Sequence, residues 1–295
     1  MKSPGGHPSY PRSTVRKLPL PFLLVLAAAL LVIAALLAPP WLAQRRRKRL
    51  AARPFPTAWR EILERRVPLV ARLPDPLRTQ LEHRIQVFIA EKQFTGCDGL
   101  EVTDEMRVTV AAQAALLMLN RGEAPYPNLR QILLYPGAFI VERLRPEPSG
   151  VLQEQRQVLT GESWSRGQVV LSWEDVLSGA ANPDDGHNVV IHEFAHQLDQ
   201  EKGYANGAPF LPRRERYERW SRVLAGEFAQ LQWHVANGWP TLINAYGATD
   251  PAEFFAVVTE VFFEQPQRMA AEHPALYAEL RDLYRVDPAS WRVPL

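Results

Sequence analysis

Two histidines four residues apart enclose a glutamate in an HExxH motif at residues 192–196. On an α-helix, residues four apart share a face, so His192 and His196 can bind one metal ion while Glu193 lies beside it. An extended form of the motif requires glycine at 199 and a third histidine at 202, but those positions hold Asp199 and Lys202. The spacing therefore predicts a metal site whose third protein ligand lies elsewhere in the chain.

Two glutamates in a second predicted helix are candidates for the third ligand. Glu253 stands three residues after Asp250, where it could instead hydrogen-bond back to the start of its own helix. Glu260 lies two turns further along the same face, within an apolar run where a bare carboxylate needs a partner. It could bind the metal or orient a ligand histidine. The residues alone leave both assignments open.

These residue types suit the hydrolysis of a peptide bond. Zn²⁺ held by two imidazoles and a carboxylate lowers the pKa of its bound water to about 7. Glu193 would take the proton as the water attacks the carbonyl carbon, and would later return it to the leaving amine. Tyr246, just before the second helix, could donate a hydrogen bond to the oxyanion, although a tyrosine packed in a loop also explains its position.

Other residues near the motif or of reactive type have simpler explanations. Asp199 follows His196 by three residues and could orient a ligand, or be an exposed acid near the helix end. His187 lies off the ligand face, so we expect it in a turn. Cys97 is the single cysteine, which excludes an intrachain disulfide, and we expect it to be structural.

The elements that must position these residues are predicted to be mainly helical, with a small sheet. Helical spacing recurs in residues 59–67, 76–91, 103–119, 188–200, 250–263 and 274–284. Short β-rich runs at residues 132–135, 138–142, 157–160 and 169–171 are expected to form an antiparallel sheet. The sequence thus predicts an α+β fold with the HExxH motif on a helix.

Charge is distributed unevenly along the chain. The net charge is +2, but residues 1–54 contain ten of the 34 Lys and Arg and no acid, which leaves 24 basic and 32 acidic residues from Phe55 onward. The body of the protein therefore carries −8. Because phosphate contacts need a basic face, we exclude a nucleic-acid-binding body and nucleic acid as a partner.

The N-terminal segment predicts a membrane anchor. Residues 18–44 carry no charge, and residues 22–38 are an unbroken apolar run that would rise about 25 Å as a helix, near the short end for a bilayer span. A cleaved signal peptide is the alternative, but the basic cluster at 45–49 disfavours cleavage and favours the cytoplasmic side. We expect a single-pass protein of the bacterial inner membrane with a cytoplasmic catalytic domain. Its predicted parts are a tail (1–17), an anchor (18–44), a basic juxtamembrane linker (45–54) and a zinc metallopeptidase domain (55–295).

Several long stretches in the right order carry a family resemblance, at residues 99–109, 135–139, 188–199 and 246–256. On these stretches, residues 55–284 resemble the Mlc titration factor A family of zinc metallopeptidases. Such stretches are far more specific than an HExxH motif alone.

The resemblance implies zinc ligands at His192, His196 and Glu253, a catalytic glutamate at Glu193 and an active-site tyrosine at Tyr246. It also implies one Zn²⁺ per chain, a zincin-like fold, peptidase activity of aminopeptidase character and, in enterobacteria, binding to the glucose-responsive repressor Mlc. The apolar N-terminal segment departs from the soluble members of the family, so a tethered enzyme would reach a cytoplasmic repressor differently.

Two other classes of function compete with a membrane-anchored peptidase acting on peptides or proteins. One is a binding module in which zinc is structural and the chain sequesters a transcriptional repressor. The other is a membrane adaptor with an accidental HExxH, which would bind no stoichiometric zinc. Glu193 distinguishes the peptidase from the binding module, because a structural zinc site needs no base beside the metal.

Overall fold

A computed structural model describes residues 19–122, 126–146, 152–159, 161–164, 167–211 and 213–291. The chain divides into two compact units, Met1–Lys48 and Arg49–Leu295. The predicted tail, residues 1–17, lies outside the described residues.

The described part of the N-terminal unit is helical. Helix α1 (Leu20–Ala51) begins in this unit, continues through Pro39 and Pro40, and ends three residues beyond the unit boundary at Lys48. Within α1, Leu24–Ala51 is long and apolar enough to cross a membrane, by length and composition. The helix also includes the basic cluster at 45–49, so most of the predicted juxtamembrane linker is helical. There the Arg45 guanidinium lies over the Trp41 ring, 4.7 Å from its centroid.

The second unit is mostly helical. Its helices are α2 (Thr57–Arg66), α3 (Asp75–Glu91), α4 (Asp104–Leu116), α5 (Trp173–Ala181), α6 (Val189–Asp199), α7 (Arg214–Ala236), α8 (Pro251–Glu264), α9 (Pro266–Glu272) and α10 (Pro274–Tyr284). All six predicted helices are confirmed, as α2, α3, α4, α6, α8 and α10. The sequence prediction missed α5, α7 and α9.

The strands are β1 (Gln93–Gly96), β2 (Gln131–Tyr135), β3 (Phe139–Pro146), β4 (Leu152–Leu159), β5 (Gly161–Trp164) and β6 (Gln168–Ser172). The main sheet has the order β1-β2-β6-β5, and β3 pairs with β4 in a separate two-stranded sheet. Thr160, at the end of one predicted run, lies outside the described residues.

The predicted antiparallel direction was wrong for the centre of the main sheet. Strands β1, β2 and β6 are parallel, whereas β5 runs antiparallel to β6 and β3 antiparallel to β4. The chain leaves β2, forms β3, β4 and β5, and returns through β6, and a connection of that length permits parallel pairing. Ile132 and Leu134 in β2, and Val169 and Leu171 in β6, are fully buried. Strand β6 also buries Val170 on its other face, as expected for a central strand of a parallel sheet, whereas β2 buries one face and leaves the other partly exposed.

Helix α6 lies at the centre of the core. One set of its side chains is fully buried: Val190, Ile191, Phe194, Ala195 and Leu198. It packs against α8, the main sheet, α4 and α5. The helix that carries the HExxH motif is therefore held on several sides, which restricts its motion.

Candidate metal centre

The start of α6 is fixed by Asn188, which the sequence prediction had placed inside the helix. The Asn188 side chain caps the helix by accepting a hydrogen bond from the Ile191 amide at 3.0 Å. His192 and His196 then follow on one face, with ring centroids 4.9 Å apart. The cap and the buried apolar face together direct both imidazoles toward α8.

Glu253, in the first turn of α8, brings a carboxylate to the two histidines. Its Oε2 lies 3.0 Å from Nε2 of His192 and 3.5 Å from Nε2 of His196. Asp250 caps α8, because its side chain accepts hydrogen bonds from the backbone amides of Ala252 and Glu253. The first turn is thus capped by Asp250, and the Glu253 carboxylate faces the imidazoles.

The donor set fits a divalent metal. Among the described residues, His192, His196 and Glu253 are the group that could hold a metal ion, with ligand atoms within 4.8 Å of one another. A tetrahedral ion with bonds of about 2.0–2.2 Å separates its donor atoms by about 3.3–3.6 Å. The two contacts of Glu253 lie near that separation, so small side-chain adjustments suffice to bind such an ion.

Glu260 contacts the other ring nitrogen of His192. Its Oε1 lies 2.8 Å from Nδ1 of His192, and its Oε2 accepts a hydrogen bond from the backbone amide of Asn188. The contact of Nδ1 with Glu260 fixes the ring so that Nε2 faces Glu253, where Nε2 shares a proton with that carboxylate and would give it up to bind a metal. Of the two roles left open by the sequence, the contacts favour orientation of a ligand for Glu260.

The charges in this cluster reinforce one another. Burial alone would lower the pKa of His192, but its hydrogen bonds with Glu253 and Glu260 outweigh burial and raise that pKa well above its ordinary value. Burial would raise the pKa of Glu253, whereas hydrogen bonds with His192 and His196 hold it well below its ordinary value. Glu253 is therefore an ionised donor, as a metal ligand must be.

Glu193 is buried beside strand β5. A Cβ atom added to Gly161 would lie 2.7 Å from Oε1 of Glu193 and 2.6 Å from Cγ2 of Val189. Gly161 therefore lets the edge strand of the sheet approach α6 at the proposed base. Sequence reasoning missed it, although a glycine in a β-rich stretch is a known signal of close backbone approach.

Tyr246 lies in a 3₁₀ turn, Ala245–Ala248, directly before α8. Its ring centroid is 6.0 Å from that of His192, and the side chain is about half exposed. Partial burial and the nearby Glu253 carboxylate raise the pKa of Tyr246 to about 12. The phenol is therefore protonated at neutral pH and is able to donate a hydrogen bond toward the cleft.

Asp199 does not contact the metal-site side chains. Its carboxylate accepts hydrogen bonds from the amides of Asn206, Gly207 and Ala208 at 2.7, 2.6 and 3.0 Å. Burial raises its pKa, and these hydrogen bonds oppose that rise. A Cβ at Gly207 would lie 2.3 Å from the Pro251 carbonyl oxygen, so Asp199 fixes a loop against the start of α8.

A second connection between α6 and α8 was also missed. The side-chain amide of Asn188 donates a hydrogen bond to Glu264 at 2.9 Å, and Glu264 also accepts a hydrogen bond from the backbone amide of Gly186 at 3.1 Å. Burial raises the pKa of Glu264 to about 8. No spacing rule links Asn188 with a glutamate so far along the chain, so only the tertiary structure reveals this pair.

The candidate metal centre opens into a cavity of about 480 Å³. Its walls include Gly161, Asp175, His187, Glu193 and Tyr246. His187 is exposed in the turn before α6, as predicted. Within the described part of the chain, the cavity wall includes Asp, Glu and His but neither Lys nor Arg. The cavity therefore favours a cationic group.

The sequence also matches known proteins over most of its length. A family described as glucose-regulated metallo-peptidase M90 matches residues 41–285. The uncharacterised protein slr2042 of Synechocystis sp. is 46% identical over 244 residues, which cover 82% of this chain and 89% of that protein. Mlc titration factor A of Klebsiella pneumoniae is 33% identical over 237 residues, which cover 79% of this chain and 88% of that protein. Matches of this extent, together with the geometry of the metal centre, make this protein a member of the glucose-regulated metallo-peptidase family M90.

Proposed function

We propose that this protein is a zinc-dependent peptidase with aminopeptidase-like action, anchored in the bacterial inner membrane with its catalytic domain in the cytoplasm. The observation that carries the catalytic part is the position of the buried Glu193 on the same helix as His192 and His196, the two histidines that form a possible metal site with Glu253. A site that needed only to hold a metal would have no use for this additional buried carboxylate.

His192, His196 and Glu253 would hold one Zn²⁺, which when bound would activate a water molecule by lowering its pKa. Glu193 accepts the proton from the attacking water and delivers it to the leaving amine. The phenol of Tyr246 donates a hydrogen bond to the oxygen that gains negative charge. Glu260 keeps the His192 ring in the tautomer that leaves Nε2 free to act as a ligand.

A zincin-like arrangement is supported by strand β5, which forms the antiparallel edge of the main sheet beside Glu193. An edge strand offers backbone donors and acceptors along one side. A peptide extended along β5 would present its backbone next to the proposed base, and Gly161 provides the space for that approach.

The aminopeptidase-like action is supported by the charge of the cavity. A free peptide amino terminus is cationic at neutral pH, and Asp175 in the cavity wall offers a carboxylate to it. Blocking the amino terminus by acetylation removes that charge. We expect acetylated peptides to be hydrolysed more slowly than the same peptides with a free amino terminus, and equal rates would favour an endopeptidase.

The second candidate function is capture of a transcriptional repressor. The Klebsiella pneumoniae relative is named Mlc titration factor A, which supports an Mlc-type repressor as a partner of this chain. Such capture needs no hydrolysis. It therefore predicts that a variant without the base still binds the partner.

The membrane part of the proposal is supported by the segment Leu24–Ala51. The basic cluster at 45–49, which follows the apolar run, supports a cytoplasmic catalytic domain. Resistance to alkaline carbonate extraction tests the anchor, and protease access to the C-terminal unit in sealed vesicles of known orientation tests its side of the membrane.

The test of catalysis is metal content and peptide hydrolysis measured on the full chain in detergent. We expect one zinc per chain, zinc but no hydrolysis in Glu193→Gln, and weakened zinc without hydrolysis in Glu253→Ala. Glu272→Gln, at a partly exposed surface glutamate, is the matched control and should retain both.

Each of the other outcomes contradicts a named part of the proposal. Full hydrolysis in Glu193→Gln would exclude this residue as the base. Zinc binding without hydrolysis of free or acetylated peptides would favour repressor capture. Absence of zinc would overturn the metal site itself.

A further inference from the structure

Three aromatic rings meet at the surface where α7 ends. The Trp233 and Trp239 ring centroids are 4.8 Å apart, and the His234 ring stacks on Trp239 at 5.7 Å. The tryptophan side chains are 51% and 56% exposed. We call Trp233, His234 and Trp239 the tryptophan patch. Two exposed tryptophans in mutual contact form an unusually apolar surface for the exposed end of a helix.

The patch is held in its outward position by the residues behind it. Leu231 and Ile243, on either side of the patch in sequence, are buried in the core. The Trp239 amide donates to the His234 carbonyl at 2.9 Å, and Gln232 donates to the Ala248 carbonyl at 3.2 Å. The tryptophans are therefore presented on a fixed turn, so little conformational entropy is lost when a partner covers them.

The segment of the sequence that carries the patch also has a distinctive composition. Residues 228–249 contain no Asp, Glu, Lys or Arg, although the body of the protein is rich in charge. The polar residues in this segment are Gln, Asn, Thr, Tyr and His. No ionised Asp, Glu, Lys or Arg of this segment would have to be desolvated on contact with an apolar phase, which keeps the cost of such contact low.

From these observations we propose that the tryptophan patch docks on the lipid surface of the membrane. Tryptophan has a large apolar ring and one N–H donor, and it is enriched at the boundary between acyl chains and headgroups. The proposal rests on the membrane anchoring proposed above. An anchored domain remains within a short distance of the bilayer, so even a weak second contact is favoured by the high effective concentration.

The test is quenching of tryptophan fluorescence by brominated lipids. The full chain is reconstituted in phosphatidylcholine and phosphatidylglycerol vesicles with either brominated or ordinary acyl chains. Every protein carries Trp41→Phe, because Trp41 lies in α1. We expect brominated lipid to quench part of the emission, and the substitutions Trp233→Gln and Trp239→Gln together to abolish most of that lipid-dependent loss.

The matched control is Trp173→Phe, which removes a partly buried tryptophan that packs against the hydrophobic core and lies far along the chain from α1. We expect it to leave the lipid-dependent quenching unchanged. Circular dichroism and the thermal midpoint of each variant verify that it is folded.

Quenching that is equal with and without the two patch tryptophans would overturn the proposal. Alkaline carbonate extraction of the same vesicles reports on the anchor separately. A chain released by carbonate would contradict the anchor, whereas a retained chain without patch-dependent quenching would contradict only the docking surface.

Discussion

Glu260 and His192 form a hydrogen bond of 2.8 Å through Nδ1 of the imidazole. Nε2 of the same ring lies 3.0 Å from Glu253. Two carboxylates from one helix therefore contact opposite nitrogens of one histidine. One contact fixes the ring and its tautomer, and the other completes the donor set.

Glu260→Gln is expected to weaken metal binding by about 10- to 100-fold, because a carboxamide does not make the imidazole more basic as a carboxylate does. The measurement is competition with a chelator on the full chain, with Glu272→Gln as the control. Unchanged metal affinity would show that Glu260 does not act on the ligand.

Gly161→Ala is expected to reduce hydrolysis strongly while metal binding persists. The added methyl group would lie within 2.7 Å of Oε1 of Glu193, so the carboxylate or the edge strand must move. The matched control is Gly226→Ala in α7, where an added Cβ meets no atom within 4 Å and alanine favours the helix. Activity equal to that of the control would contradict the close approach.

Tyr246→Phe is expected to lower kcat by about 10- to 1000-fold, because it deletes one donor to the oxyanion. It should leave KM and the metal content nearly unchanged, since the ring and its position beside His192 are retained. Tyr204→Phe, at a strongly exposed tyrosine, is the control. A fall in metal content in Tyr246→Phe would point to a structural role instead.

Because Glu264 is buried and its pKa is raised, we expect the stability of the fold to depend on pH. Its pKa is raised from 4.5 to about 8 by burial, so between these values the folded chain holds a proton that the unfolded chain has lost. The free energy of unfolding should therefore fall as pH rises from 4.5 to 8, by up to about 1.4 kcal/mol per pH unit, and level off above that.

Glu264→Gln should remove this contribution and raise the thermal midpoint at pH 8, because the amide is never ionised. The measurement is thermal unfolding of both proteins at several pH values, with the exposed substitution Glu272→Gln for comparison. Parallel curves for the wild type and Glu264→Gln would contradict a protonated Glu264.

The local parts of the site were predictable from the sequence, because they depend on spacing along one helix. His192, Glu193 and His196 follow from the helical period, and the start of α8 follows from Asp250 and Pro251. The choice between Glu253 and Glu260 was not predictable from spacing, since both lie on one face. It depends on how α8 packs against α6, which is a tertiary relationship.

The parts of the fold that were missed share one physical cause. The direction of β2 relative to β6 depends on the path of the chain between them. The sequences of two short apolar runs do not reveal that path. Helix α7 buries only a narrow stripe, Trp220, Leu224 and Leu231, amid many charged residues, so its apolar period was weak. Such elements are stabilised mainly by contacts with the rest of the domain.

The loop held by Asp199 has a consequence for the life cycle of the enzyme. Asp199 ties the end of α6 to the start of α8, while Asn188 and Glu264 join the two helices at their other ends. The ligands are thus held in place by the polypeptide rather than by the ion. We therefore expect a newly made chain to fold without the metal and to gain activity when the metal is supplied, and we expect a chelator to abolish activity without unfolding the domain. Zinc availability would then act as a reversible control of its activity.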